Sequence, residues 1–411
     1  MCYAGEMPRF EPFAGLRYAD GAGPLADLVA PPYDVVSPAD RGRLASRSPH
    51  NSILVELPLA DDTRGTDRYA TAAALLADWE RDGILRRDLS PALYVYRMTY
   101  ESEEGATRST TGVIGALGLD PVGGGEILPH ERTMPKPKGD RLDLLRACRA
   151  NLSPIWGLSL TEGLASACAA ATESAPAPIS AADEDGVLHE LWTVTDPESI
   201  EPMCALVAAT PVVIADGHHR YETATFYRTE RQGASGGAPG AYDLVMALVV
   251  ELTADELVVR AIHRLVSGLP ADFDVTEALS AFFSVLEGPA DPSGLPAAMA
   301  REGALGVVLP EGTLLLVPTP EVLRSAEADL DSSRLDVALA GFPAHELTYQ
   351  HGATLAADAV ARGDAQVAFL LRPATVGQIA ETAHSGRRMP PKTTFFHPKP
   401  RTGMVFRPVP D

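Results

Sequence analysis

The chain has 411 residues, of which 45% are apolar and 22% are charged, and its formal net charge at pH 7 is −21. This balance excludes a mainly disordered, collagenous or fibrous protein, and the length predicts two or three domains, each with its own core. The acidic excess argues against broad nucleic-acid binding, because a protein that neutralises many phosphates carries a basic face. A local basic pocket for a small anionic ligand is still compatible with this charge.

The elements of the first 200 residues are predicted from capping residues, apolar spacing and apolar–polar alternation. In chain order they are a short helix after Ser37-Pro38, a helix over 67–82, a β-hairpin of 92–101 and 108–119, a helix over 140–150, and strands over 154–160 and 187–194.

The second half of the chain begins with an apolar run, 211–215, which has the length of a strand and leads into Asp-Gly-His-His-Arg. The sequence RQGASGGAPGA at 231–241 predicts a flexible loop. Two strands are predicted around 242–250 and 256–266, and 270–385 combines helices with a hairpin. We therefore expect an α+β protein with a motif-bearing domain over 1–235, a second, smaller α+β domain over 236–385, and a C-terminal strap over 386–411 that returns to the site.

Cysteine usage and the N-terminus indicate where the protein works. The four cysteines show no C-x-x-C spacing, which favours a reducing compartment and gives no zinc signature. No stretch reaches 18 uncharged apolar residues, and the start lacks a charged segment followed by an apolar core. We expect a cytoplasmic protein without a membrane partner.

The turn at 216–220 is the strongest local candidate for a binding site. A glycine after a buried strand permits a tight turn, and the helix that follows presents N–H groups and its positive dipole end to an anion. His218, His219 and Arg220 add side-chain donors at the same end. Two simpler interpretations remain open: Asp216 as a helix N-cap, and His218 with Glu222 as an i,i+4 surface pair.

Lysine is rare in this chain, and its positions mark two further candidate segments. Lysine and arginine together number 34, and only four of these residues are lysines: Lys136, Lys138, Lys392 and Lys399. Arginine replaces lysine elsewhere, so these positions mark places where a compact ammonium is needed. The alternatives are a solvated charged loop for the first segment and a structural strap for the second.

The first lysine segment is the loop 130–141, HERTMPKPKGDR, which leads into a helix with Asp140 as a plausible cap. Its carboxylate, Glu131, lies among cations, where it would deprotonate a hydroxyl or hold a metal while Lys and Arg bind phosphate. At the N-terminus, two prolines restrict the backbone before Tyr33 and Asp34, which positions a phenol and a carboxylate. A simple turn would use the same residues.

Several common motifs are absent from the sequence. It contains no G-x-x-x-x-G-K-[ST], no G-x-G-x-x-G in a helix context, no H-E-x-x-H and no G-x-S-x-G. The nearest metal pattern combines Glu131, Asp216, His218 and His219, and nothing in its spacing fixes a geometry.

Six sequence blocks carry a resemblance to a known family. They are PPYD (31–34), HERT with a following PK and DR (130–141), NLSPIWGL (151–158), ADGHHRYETA (215–224), HRLV (263–266) and MPPKTTFFHPKPRTG (389–403). Together they resemble an uncharacterised bacterial and archaeal family, the domain of unknown function 1015. The resemblance runs from near residue 9 to near 407 and implies no settled biochemical role.

A more distant resemblance implies a mechanism. The Asp-Gly-His-His-Arg block looks like the G-x-H-R turn of the ParB/sulfiredoxin-like superfamily, in which a helix N-terminus holds nucleotide phosphates. Members of that superfamily include nucleotide-dependent kinases of free serine and CTP-binding switches. The resemblance implies ATP or ADP as the nucleotide, with Mg²⁺.

We therefore expect a phosphotransferase acting on a small hydroxylated metabolite such as serine. The implied catalytic residues are Glu131, His218 and Asp216, with Mg²⁺ held by Asp216 or Glu131. The residues expected to bind phosphate or nucleotide are Lys136, Lys138, Arg141, Gly217, His219, Arg220, Lys392 and Lys399. The residues expected to contact the substrate are Tyr33, Asp34 and Arg132. The alternatives are a nucleotide sensor without turnover, and a metal-dependent hydrolase or lyase.

Overall fold

The computed structural model describes residues 8–102, 105–120, 125–129, 139–385 and 388–410. These residues divide into two compact units, each with helices and sheets, as the predicted α+β class requires. The first unit comprises the described residues of 8–129, 139–257 and 398–410, and the second unit comprises those of 258–397. The divisions thus follow Leu257 and His397, whereas the sequence suggested 235 and 385.

The first unit contains the following helices and strands among its described residues up to 257. The helices are α1 (Leu25–Leu28), α2 (Pro38–Arg47), α3 (Ile53–Glu56), α4 (Arg68–Arg81), α5 (Gly139–Cys148), α6 (Leu164–Ser174), α7 (Pro197–Ala208) and α8 (His218–Ser235). The strands are β1 (Phe10–Glu11), β2 (Leu16–Tyr18), β3 (Leu85–Arg87), β4 (Leu93–Glu101), β5 (Thr107–Gly118), β6 (Ile127–Pro129), β7 (Ala150–Asn151), β8 (Ile155–Ser159), β9 (Ile179–Ala182), β10 (Leu188–Val194), β11 (Val212–Asp216) and β12 (Leu244–Glu251).

The main sheet of the first unit joins nine strands of the described residues. Its order is β6-β11-β8-β12-β5-β4-β10-β9, and β1 pairs with β5. β11 runs parallel to β6 and antiparallel to β8. Every residue of β12 is buried, so the centre of the sheet is covered on both faces. Helices α6 and α7 pack on one face, where Cys168 and Met203 join the apolar residues of β5 and β12 in one core.

The second unit has its own sheet and core. Its helices are α9 (Val275–Ser280), α10 (Leu295–Glu302), α11 (Pro320–Ser325), α12 (Asp331–Leu339), α13 (Ala353–Ala361) and α14 (Val376–His384). Its strands are β13 (Val258–Ser267), β14 (Phe283–Glu287), β15 (Leu305–Leu309), β16 (Gly312–Pro318), β17 (Glu346–His351), β18 (Val367–Leu370) and β19 (Thr394–His397). Within the described residues, the sheet order is β14-β16-β15-β18-β13-β17, and β19 pairs with β13.

Residues 398–410 cross the first unit as an extended segment, which we call the C-terminal segment. The backbones of Thr402 and Ala30 exchange two hydrogen bonds, of 2.8 and 3.0 Å. Further along, Phe406 pairs with Leu16, and β20 (Arg407–Pro408) pairs with β7. Its contacts therefore join parts of the first unit that lie far apart in sequence.

Most of the predicted elements are confirmed. The helix over 67–82 is α4, capped by Asp67, and the predicted hairpin is the antiparallel pair of β4 and β5. The predicted loop at 231–241 is wrong over its first half, because α8 continues to Ser235 and stops at Gly236 in the left-handed conformation. Extending an existing helix by one turn costs little, so α8 continues until Gly236 ends it as a left-handed C-cap. In the described part of the chain, no helix is both long and apolar enough to cross a membrane.

Candidate functional site

The predicted turn at 216–220 forms a strand, a tight turn and a helix. Asp216 ends β11, Gly217 adopts φ +85°, and α8 begins at His218. A β-carbon at Gly217 would lie 3.0–3.1 Å from the Nε, Cζ and Nη2 atoms of Arg220, so the turn requires glycine. No side chain caps α8, which leaves first-turn N–H groups and the positive dipole end available for an anion. The interpretation of Asp216 as an N-cap is wrong, because Gly217 is the N-cap and Asp216 belongs to the strand.

Asp216 is held between two cations of the first unit. Its Oδ2 accepts a hydrogen bond from Arg220 Nη2 at 2.8 Å, and its Oδ1 accepts one from Lys399 Nζ at 2.6 Å. Burial alone would raise the pKa of Asp216, but the charges of Lys399 and Arg220 outweigh burial and lower it well below the ordinary value. Asp216 therefore remains ionised at neutral pH, where it fixes both cations and is too weakly basic to take up a proton.

Arg220 extends from this pair towards a neighbouring loop. Its Nη1 donates to Ser153 Oγ at 3.1 Å and to the carbonyl oxygen of Pro154. Ser153 and Pro154 lie in the predicted NLSPIWGL block, directly before β8. The guanidinium is thus oriented by three groups and cannot rotate freely, which suits a side chain that must meet an anion in one geometry.

Arg141 is the second arginine of the site. Its Nη1 donates to the backbone carbonyl of Glu56 at 2.8 Å, and its Nε and Nη2 bind the Asp140 carboxylate. The guanidinium lies 4.5 Å from the centroid of the Tyr33 ring, within the range of a cation–π interaction. Asp140 lies inside the first turn of α5, where it pairs with Arg141 instead of serving as the predicted cap.

A buried carboxylate, Glu56, lies between these groups. Only 2% of the residue is exposed. Its Oε1 lies 3.5 Å from both Ser153 Oγ and Arg141 Nη1, and its Oε2 has no hydrogen-bond partner among the described residues. Burial raises the pKa of Glu56, and the charges of Arg141 and Arg220 only partly offset this effect. An unsatisfied carboxylate oxygen with a raised pKa is typical of a group that handles protons.

A cavity of the first unit brings these side chains to one place. Its polar wall includes Glu56, Arg141, Ser153 and Arg220. The apolar part of its wall consists of Leu144, Leu145, Ala150, Leu152 and Val245. Two guanidinium groups and one carboxylate thus face a partly apolar pocket, which is the arrangement expected for binding and deprotonating a small polar molecule.

Five of the sequence blocks therefore contribute residues to one region of the first unit. The predicted site residues that this region contains are Tyr33, Arg141, Asp216, Gly217, Arg220 and Lys399. Asp34 is exposed and adjoins the region, since its charge contributes to the pKa of Glu56. His218 likewise acts on Asp216 through its charge, and His219 Nδ1 lies 4.0 Å from Glu222 Oε2.

Five predicted site residues are not among those that the structure places in this region. Glu131, Arg132, Lys136 and Lys138 are outside the described residues. Lys392 belongs to the second unit, where its backbone carbonyl accepts a hydrogen bond from Arg264 Nη1 at 2.8 Å and its own φ is +58°. The roles predicted for these five residues stay predictions.

Asp216 is the described member of the predicted pair of magnesium ligands. Both carboxylate oxygens of Asp216 accept hydrogen bonds from cations, so a divalent ion there would meet Lys399 and Arg220 at close range. Within the described residues, no group of three or more His, Cys, Asp or Glu side chains is arranged to hold a metal. The described residues thus do not fit a metal held by Asp216.

Sequence reasoning missed Glu56 and a buried network around His189. In the network, His189 Nε2 lies 2.9 Å from Asp183 Oδ2, and His189 Nδ1 lies 2.7 Å from the Tyr96 hydroxyl. Arg401 of the C-terminal segment pairs with Asp183, and its backbone N–H donates to the Tyr96 hydroxyl at 3.0 Å. A charged residue within the apolar run ILVEL was the signal for Glu56, whereas no local pattern indicates the His189 network.

Comparison with known proteins gives the following likenesses. A search of curated proteins finds no match. Among solved structures, a free serine kinase in complex with AMP has 16% identity and a TM-score of 0.36, over 69% of this chain and 86% of the other. A conserved hypothetical protein from Pyrococcus furiosus has 15% identity and a TM-score of 0.36, over 69% and 90%. A C-terminally truncated SbnI from Staphylococcus aureus has 12% identity and a TM-score of 0.38, over 70% and 85%.

The six sequence blocks predicted a family, and comparison with family descriptions confirms it. The family described as "Protein of unknown function (DUF1015)" matches residues 10–338, which include five of the six blocks in full. Tyr33, Glu56, Arg141 and Arg220 of this region lie within this match. The chain belongs to the DUF1015 family.

Proposed function

We propose that the first unit is a nucleotide-dependent phosphotransferase that acts on a small hydroxylated metabolite, for example a free amino acid such as serine. The observation that carries this proposal is the buried Glu56 carboxylate, which shares one cavity with Arg141 and Arg220. Phosphoryl transfer requires cations to neutralise the phosphates and a group near the acceptor hydroxyl. The cavity combines both requirements in one place.

Each described residue has a distinct part in the proposed reaction. Arg220, Lys399 and the N-terminus of α8 bind the nucleotide phosphates, and Asp216 keeps the two side chains in position. Glu56 accepts the proton of the acceptor hydroxyl as the acceptor oxygen forms its bond to phosphorus. The bond between that phosphorus and the nucleotide breaks, and its electron pair leaves with the nucleotide. Most of the rate acceleration would come from positioning and charge neutralisation.

The finer sequence predictions remain part of this proposal. The strand, glycine turn and helix at 212–235 support a ParB/sulfiredoxin-like arrangement of the first unit. The nucleotide would be ATP or ADP, and the protein would act in the cytoplasm. The proposed reaction uses only described side chains of this chain, and the role of Glu131 as a base or a ligand of Mg²⁺ stays a prediction.

The proposal is tested by turnover with ATP or ADP and a panel of hydroxylated acceptors, followed by phosphorus NMR. The Glu56→Gln variant should lose at least about 100-fold in turnover, because the general base is gone, while nucleotide affinity is retained. Glu251→Gln is a matched control, since Glu251 is also buried but binds the N–H groups of Gly163 and Ala165 outside the cavity. This control should retain wild-type turnover.

The outcomes separate the proposed enzyme from the alternatives. Absence of nucleotide binding by the wild-type protein would reject the proposal. Nucleotide binding without turnover on any acceptor would instead favour a sensor, and release of a product in the absence of nucleotide would favour a hydrolase or lyase. Equal turnover by Glu56→Gln and the wild type would remove Glu56 from the mechanism.

A further inference from the structure

The second unit contains a polar cavity that the proposed function does not use. It lies at the N-terminus of α12. The groups that matter here are Ser332 on α12, Arg334 on the same helix, Arg372 after β18, and the acidic residues Asp329 and Asp331. The cavity and all of these residues belong to the second unit.

The charges of this cavity differ in their exposure to solvent. The side chain of Asp331 is 3% exposed, and it accepts hydrogen bonds from both Arg334 Nη1 at 2.8 Å and Arg372 Nη2 at 2.6 Å. The second carboxylate is Asp329, which pairs with Arg334 Nη2 but has a side chain that is 75% exposed. The side chain of Arg372 is 31% exposed, so its charge and that of Asp329 are both partly solvated. Arg334 and Asp331 are thus the buried charges of this cavity.

Arg334 has a donor that the described residues leave unused. Its side chain is only 9% exposed, and its Nε has no hydrogen-bond partner among the described residues. A buried guanidinium whose N–H remains unsatisfied is costly, and native structures normally complete such a group with a protein atom, water or a ligand. An acceptor on a ligand in this cavity would complete the Nε donor of Arg334.

The N-terminus of α12 adds further donors on the same side. Its N-cap is Leu330, which has no side chain able to accept a hydrogen bond from the first turn. Ser332 also lines the cavity, and its hydroxyl donates to Thr393 Oγ1 at 3.0 Å because Thr393 donates its own proton to the Pro390 carbonyl oxygen. A helix N-terminus combined with an arginine side chain is a typical environment for a phosphate group.

We propose that this cavity binds a phosphate group, either as free phosphate or on a small phosphorylated metabolite. The bound phosphate would take the place of the Asp329 carboxylate on Arg334, while Asp331 keeps the two arginines in position. Because Asp329 is exposed, it can turn into solvent without leaving a buried charge unpaired. Asp329 thus competes with the ligand for Arg334, and this competition makes the proposal testable.

The test is calorimetric titration of the full chain with inorganic phosphate and, separately, with glycerol 3-phosphate. Asp329→Asn should bind phosphate about threefold more tightly than the wild type, since the competing charge is removed. Glu311→Gln, which removes a negative charge from an exposed turn outside the cavity, should leave the affinity unchanged. Arg334→Gln should lose one equivalent of bound phosphate, and circular dichroism checks that this variant is folded.

The two ligands distinguish the source of the phosphate group. Tighter binding of glycerol 3-phosphate than of inorganic phosphate supports a phosphorylated metabolite, and the reverse order supports free phosphate. Identical titrations for the wild type, Asp329→Asn and Arg334→Gln would overturn the proposal. Equal competition by acetate would also overturn it, because the site would then select carboxylates. Titration of Lys399→Met measures how much of the bound phosphate depends on the first unit. A failure of the proposed function of the first unit can therefore be distinguished from a failure of the phosphate site proposed for the second unit.

Discussion

At the scale of single residues, Gly217 determines the geometry of the turn that we propose to bind phosphate. Its φ is +85°, and an added β-carbon would come within 3.1 Å of the Arg220 guanidinium. Gly217→Ala should therefore lose about 1 kcal/mol of stability from the left-handed backbone, and the displaced Arg220 should weaken nucleotide binding about tenfold. Urea unfolding and equilibrium nucleotide binding measure the two effects.

A second glycine of α8 provides the control for this prediction. Gly236 closes the helix with φ +67°, and nothing lies within 4 Å of the position of an added β-carbon. Gly236→Ala should thus show the same loss of stability as Gly217→Ala with wild-type nucleotide affinity. If both variants bind nucleotide equally, Arg220 does not contribute to binding through this turn.

Glu56 offers a second prediction at this scale, through the pH dependence of turnover. Burial raises the pKa of Glu56 in the folded protein, and a general base is active only when it is deprotonated. Turnover should consequently fall as the pH decreases through a pKa above 4.5, the ordinary value for glutamate. A pH–rate profile of kcat measures this limb, and a limb at or below pH 4.5 would contradict a role for Glu56 as the base.

The residues found by sequence reasoning differ from Glu56 in one physical respect. Asp216, Gly217 and Arg220 stand together in one turn, where strand, glycine and helix N-terminus form a local pattern. Glu56 acquires its properties from groups that lie far along the chain, since its nearest cation, Arg141, is 85 residues away. Burial and pairing of this kind arise from tertiary structure, so the sequence shows only an acidic residue within an apolar run.

At the scale of elements, the C-terminal segment positions Lys399. Arg401 pairs with the buried Asp183, and its backbone binds Tyr96. Arg401→Gln removes the ion pair and leaves a buried carboxylate with less compensation, which should destabilise the first unit by about 3 kcal/mol. Because Lys399 lies two residues away in the sequence, we also expect weaker nucleotide binding. Arg401→Lys should retain part of the stability and part of the nucleotide affinity that Arg401→Gln loses.

A substitution at the other end of the C-terminal segment tests whether the position of Lys399 can be separated from the stability of the first unit. Arg407 is buried and donates to Asn151 Oδ1 and to the carbonyl oxygens of Leu244 and Ala241. Arg407→Gln should reduce the urea midpoint but leave nucleotide affinity near the wild-type value, because Lys399 is eight residues away. A loss of affinity as large as that of Arg401→Gln would show that any loosening of the segment disturbs the site.

Most helices and strands could be predicted from the sequence, whereas the return of the C-terminal segment to the first unit could be predicted only in part. Periodicity and caps act within a few residues, which is why α4, the β4–β5 hairpin and β11 appear in the sequence pattern. The contact between Lys399 and Asp216 joins residues 183 positions apart, and no local pattern encodes such a pairing. The end of α8 lies between these cases, since its sequence permits both a loop and a final helical turn.

At the scale of the whole molecule, each unit contains a buried histidine that the fold keeps neutral. In the first unit, burial lowers the pKa of His189, although its hydrogen bond to Asp183 opposes this effect. In the second unit, burial and, to a smaller extent, the charges of Arg264 and His351 together lower the pKa of His263 to about 4. The ordinary pKa of about 6.5 returns on unfolding, so the unfolded chain binds protons below this pH that the folded chain excludes.

Stability should therefore decrease as the pH falls below about 6.5, and for His263 the loss at pH 5 is about 2 kcal/mol. The free energy of unfolding of His263→Gln should differ less between pH 7.5 and pH 5 than that of the wild type. The variant should nevertheless be less stable than the wild type at pH 7.5, because it loses the hydrogen bond from Leu371 N–H to His263 Nδ1. Urea unfolding at the two pH values measures the difference, and an undiminished slope in His263→Gln would mean that other groups titrate on unfolding.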